Sequence, residues 1–82
     1  MEQVPDLPDD DSWMYTQRQA IGARIRAERR RQQLTQDEVW IAAGLTRWTY
    51  QRAEYGEDIK LSTLQRIARV LGVPLAELAA VE

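Results

Sequence analysis

In the stretch "RWTYQRAEY", Arg47 to Tyr55, the planar hydrogen-bonding side chains recur at helical spacing. On a helix turning about 100° per residue, Arg47, Trp48, Gln51, Arg52 and Tyr55 share one face. Tyr50, Ala53 and Glu54 share the other, and Thr49 lies at the boundary. The first face suits base edges. An arginine fork matches guanine O6 and N7, a glutamine amide matches adenine N6 and N7, and an indole packs on a thymine methyl. The second face mixes apolar bulk with one acid, so it is predicted to pack inward. Glu54 then needs a partner, because a buried unpaired carboxylate is costly.

A helix divided in this way must be held by its neighbours, and the flanking sequence carries helix starts and stops. Thr35 and Glu38 have the spacing of a capping box, with Leu34 and Val39 placed for a hydrophobic staple. Gly44 suits the left-handed residue that ends that helix, and Thr46 caps the next, which runs to Tyr55 before Gly56. Upstream, Thr16 with Gln19 predicts the opening of a first helix that reaches about Gln32 and buries Ile21, Ile25 and Met14. Downstream, Ser62 is expected to cap a fourth helix with Leu64, Ile67, Ala68 and Leu71 on one face. Gly72 stops it, and Pro74 opens a short fifth helix. The expectation is an all-α fold of five helices over residues 16–82, preceded by an acidic arm, residues 1–15, that is disordered when free.

Composition narrows the function. With 82 residues the chain can build only one small core. It has no Cys and no His, which removes disulfides, thiolate metal sites and the commonest general base. A hydrolytic or zinc-dependent enzyme is therefore not expected, nor any catalytic, cofactor or metal site. There is no signal peptide pattern and no apolar run of membrane-spanning length, which points to a cytoplasmic protein. The formal charge of −2 hides an asymmetry. Without Glu2, Asp6, Asp9, Asp10 and Asp11, eleven basic residues face eight acidic ones, a formal +3. Arg24, Arg26, Arg30 and Arg31 read as a solvated helix face that adds salt-dependent attraction to DNA.

The Gly44-Leu45-Thr46 connection has the length and glycine of a helix-turn-helix corner. Together with "IGARIRAERRRQQLTQDEV", "AAGLTRWTYQRAEYG" and "LSTLQRIARVLGVPLAEL", it resembles the phage-repressor type of helix-turn-helix, the Cro/cI or xenobiotic-response-element family, over about Gln17 to Ala80. The resemblance implies a compact five-helix, lambda-repressor-like DNA-binding domain whose third helix enters the major groove. It implies base reading at Arg47, Trp48 and Arg52, with Gln51 added from the helix wheel. It implies a phosphate contact at Gln36, with Thr35, Thr49 and Lys60 as lesser candidates, and a structural ion pair between Arg29 and Glu54. The partners expected are double-stranded DNA and a second copy, through Leu75, Leu78 and Val81 of the fifth helix.

The chain departs from the family pattern at several positions. Trp40 and Tyr50 are large and Ala53 is small, so Trp40 is expected to fill the space that Ala53 leaves. Gln33 stands where a glycine is usual, Ile41 where a polar residue is usual, and Glu57 and Asp58 follow Gly56 where basic or polar residues are common. The function these features imply is a sequence-specific transcriptional regulator, a repressor acting on a palindromic operator. Two other classes fit parts of the pattern. One is an autoregulating antitoxin whose acidic arm covers a protein partner. The other is a protein-interaction module using Trp40, Ile41, Trp48 and Tyr55.

Overall fold

Local capping chemistry sets where the short helices begin. The structure, a computed structural model, describes residues 4–80 and contains α1 (Ser12–Arg31), α2 (Gln36–Ala42), α3 (Arg47–Glu54), α4 (Leu61–Leu71) and α5 (Leu75–Ala79), with no strand among the described residues. At α2 the capping box is complete. Thr35 Oγ1 accepts from the Glu38 N–H at 3.1 Å, and Glu38 Oε1 accepts from the Thr35 N–H at 2.9 Å. Thr46 Oγ1 likewise accepts from the Thr49 N–H at 3.0 Å.

Two helices start elsewhere than expected. α1 begins at Ser12, a turn before the Thr16–Gln19 signature. The Gln19 amide donates to the Tyr15 hydroxyl at 2.6 Å rather than closing a capping box, and Asp10 Oδ1 accepts from the Ser12 N–H at 2.9 Å. Trp13 and Met14 on this extra turn are half-buried, although Met14, expected in the core, does not join it. In α4 the chain passes from extended to helical backbone at Lys60, which leaves Ser62 inside the first turn, where it caps nothing.

The helix ends close in a common way. At Gly44, φ is +68°, its N–H donates to Ile41 O at 3.1 Å, and the Leu45 N–H donates to Trp40 O at 3.0 Å. These are the paired bonds of a Schellman turn. Gln33 forms the same pair, to Arg30 O at 2.9 Å and from Leu34 to Arg29 O at 3.0 Å, with φ at +59°. A side chain at that φ is strained where glycine is not.

The core takes Ile25 from α1, Val39 from α2, Tyr50 and Ala53 from α3, Ile67, Ala68 and Leu71 from α4, and Leu78 from α5. This corrects the expected dimer surface. Leu78 is 2% exposed and Leu75 packs half-buried against the same core, so the apolar face of α5 is spent within one chain. Val81 lies outside the described residues.

Side chains from other helices also satisfy helix C-terminal carbonyls, which the helices cannot satisfy themselves. Arg66 donates to Ala43 O at 3.2 Å, Gln32 to Leu71 O at 2.7 Å, Arg24 to Glu77 O at 3.0 Å and Arg26 to Glu54 O at 3.0 Å. Arg24 and Arg26 are therefore tied to the fold rather than merely solvated, and Arg31 pairs with Glu28 on its own helix. Among the described residues no helix is long and apolar enough to cross a membrane.

Candidate nucleic-acid interface

The inner face of α3 is a closed polar network. Arg29 Nε lies 2.7 Å from Glu54 Oε2, and its second nitrogen donates to Oε1 at 3.3 Å. Both partners are buried, at 8% and 2% exposure. The Tyr50 hydroxyl donates to Glu54 Oε2, and the Gln36 amide donates to Oε1 at 3.2 Å. Burial alone would raise the Glu54 carboxyl, but the hydrogen bonds from Arg29, Tyr50 and Gln36 outweigh it and hold it below the usual carboxylate range. The Arg29 guanidinium is raised in turn, chiefly by its bond to Glu54. Burial, then the bond to Glu54, pushes the Tyr50 phenol up. Among the described residues no buried side-chain polar atom lacks a partner.

Tyr50 is the largest fully buried side chain. Its size follows from this network, since a branched aliphatic there would leave one Glu54 lone pair without its donor. Trp40 does not fill all the space beside Ala53. The space beside Ala53 stays open as a 180 Å³ cavity lined by Arg18, Ile21, Ala53, Glu57, Asp58, Ile59 and Leu64. Trp40 instead packs at the edge of the core and donates its indole N–H to Asp37 Oδ1 at 2.8 Å.

The outer face of α3 is open. Trp48 is 66% exposed and Tyr55 59%, Arg47 is exposed, and Gln51 is half-buried. Among the described residues, no hydrogen bond or ion pair engages the side chains of Arg47, Trp48 or Gln51. Arg52 differs. Its Nε lies 3.3 Å from Glu57 Oε1 and it donates to Asp58 O at 3.2 Å, so its guanidinium leans toward the loop after α3.

The surrounding candidates fall into two groups. Thr49, Arg52 and Lys60 line one polar groove of 510 Å³ together with Thr46 and Asp58. Thr35 and Gln36 sit apart, at the N-terminus of α2. Helix N-termini attract anions, but here the capping box already uses two N–H groups, and Asp37 and Glu38 offset the positive end of the helix dipole. Gln36 faces both ways, since its amide braces Glu54 while the residue stays half-exposed.

Sequence patterns missed how α1 holds α3. A Cβ at Gly22 would lie 2.5 Å from Glu54 O, so the two backbones meet at a point where only glycine fits. Arg18 Nε donates to Gly56 O at 3.3 Å, which with Arg26 places two guanidiniums on the carbonyl end of α3. The available signal was the recurrence of Arg18, Gly22, Arg26 and Arg29 along one side of α1.

A family model described as Helix-turn-helix matches residues 25–78, which takes in α2 to α4 whole. No curated protein matches the chain.

Proposed function

The chain belongs to the helix-turn-helix family of the Cro/cI, xenobiotic-response-element type, a DNA-binding regulatory family with a lambda-repressor-like fold, and from that premise we propose that it represses transcription by inserting α3 into the major groove of a palindromic operator. It acts in the cytoplasm as a dimer whose two recognition helices sit one turn of DNA apart, about 34 Å. The observation that carries this reading is the division of α3, every inner polar group being satisfied while Arg47, Trp48 and Gln51 project with no protein partner. Arg47 is the guanine reader, and Gln51 and Trp48 supply adenine and thymine-methyl contacts. Arg52 reads the groove edge from its place by the loop. Gln36, Thr35, Thr49 and Lys60 hold phosphates.

Selecting bound sequences from a random DNA pool tests this directly. The expected result is a two-fold symmetric site containing guanine, lost when Arg47 is replaced by alanine. Absence of any enriched sequence overturns it. The exposure of Trp48, Tyr55 and Ile41 favours a second reading, a protein-interaction module. The double variant Arg47→Ala, Arg52→Ala separates the two, because it abolishes operator binding in the first case and leaves partner binding intact in the second.

A further inference from the structure

The acidic arm contains a triplet written twice, Val4-Pro5-Asp6 and Leu7-Pro8-Asp9. Proline fixes φ near the polyproline II value, and that helix has three residues per turn. A three-residue repeat on a three-fold helix puts Val4 and Leu7 on one edge, the prolines on a second, and Asp6 and Asp9 on the third. All of these residues are exposed, so the body of their own chain does not cover them.

A complementary surface lies between the end of α2 and the length of α4. A 600 Å³ groove there has Ala42, Ala43 and Val70 as its apolar lining and Arg66 and Arg69 as its basic rim. The two arginines stand three residues apart on one helix, as neighbours on its surface. Among the described residues neither has an acidic partner, and Arg69 makes no hydrogen bond through its side chain. Leu64 faces α1 across the cavity beside Ala53, whereas Arg66 and Arg69 line this groove on another side of α4. The groove thus lies across α4 from the helix that carries the arm.

We infer that the arm, residues 4–9, docks into the Arg66–Arg69 groove of a second copy of this chain, with Val4 and Leu7 on the alanine and valine floor and Asp6 and Asp9 against the two arginines. This deepens the dimeric part of the function proposed above, for which α5 offers no free apolar face. It requires no DNA contact, so the two readings fail separately.

The experiment is light scattering of the full chain without DNA, over a range of concentrations at low and high salt. The expected result is concentration-dependent self-association that weakens with salt. Asp9→Lys or Arg69→Glu alone should each weaken association about tenfold by setting like charges together, and the two together should restore it, since the double reversal rebuilds an opposite-charge pair. Arg69 makes no bond within the fold, so its reversal leaves the fold intact. A chain that stays monomeric at every concentration overturns the inference, as does association that the reversals leave unchanged. Single reversals that weaken association with no recovery in the double variant also overturn the second-copy assignment.

Discussion

The two faces of α3 are eight residues read in opposite ways. On the inner face, one carboxylate holds hydrogen bonds from Arg29, Tyr50 and Gln36, all in fixed geometry. On the outer face, an arginine, an indole and an amide of similar bonding capacity are left without protein partners. The difference teaches that polarity by itself does not mark a binding surface. In α3 the protein uses the hydrogen-bonding capacity of the inner side and leaves that of Arg47, Trp48 and Gln51 unused.

The strongest way to break this contrast is to empty the inner face. Glu54→Ala leaves Arg29 buried without its counter-charge and should cost about 3–5 kcal/mol. In a domain of this size that is a fall of at least about 12 °C in the thermal midpoint. Acid should do the same more gradually. Glu54 titrates below its ordinary 4.5 in the fold, so the stability its charge contributes is complete above that value and is lost as pH falls through the lowered one. Glu54→Gln should flatten that acid limb in melts recorded from about pH 6 downward. Glu28, held low by Arg31, Glu38, held low by Thr35, and Asp10, held low by Ser12, contribute to the slope that remains.

Next comes the outer face. Arg47→Ala should leave stability, read by thermal melting, within about 0.5 kcal/mol of the parent. It should weaken operator binding by about 1–3 kcal/mol, read by titration at fixed salt. If the midpoint falls with the affinity, the outer face is structural and the contrast fails. A change that touches neither face sharpens the comparison further. Gln33→Gly relieves a left-handed side chain and should raise stability by about 0.5–1 kcal/mol with DNA affinity unchanged. The smallest effect belongs to Arg52, which straddles the two regimes. Glu57→Gln removes an exposed ion pair, so stability should move by less than about 1 kcal/mol, while binding to DNA strengthens as a like charge leaves the phosphate side.

Local signals were legible in the sequence where a bond spans three residues. Thr35 with Glu38 and Thr46 with Thr49 are such bonds, and they place the corner between α2 and α3. The same logic misled at Thr16 and Ser62, because a cap residue marks a start only if no tertiary contact carries the helix past it. In α1 the helix is already under way at Ser12, so Thr16 lies inside it. The inward turn of Glu54 was readable from the wheel. The link from Gly22 to the end of α3, and the guanidiniums of Arg18 and Arg26 on that end, join residues far apart in the chain and leave no local trace. Residue volume was the least legible quantity. The small Ala53 shows that space exists near it, but only the packed helices show that the space opens toward Ile21 and Leu64, away from Trp40.

The absent side chain at Gly22 has a mechanical consequence. A methyl at Gly22 would meet Glu54 O at 2.5 Å and Ala53 O at 2.8 Å, so the end of α3 rests directly on the backbone of α1. Because Arg18, Arg26 and Arg29 of α1 also hold the end of α3, the two helices are expected to move as one body. Any mismatch between α3 and the surface it meets must then be absorbed by side-chain rotamers or by the target itself. A duplex that bends easily should then be met on better terms than a stiff one carrying the same contacts, an expected preference set by packing inside the domain.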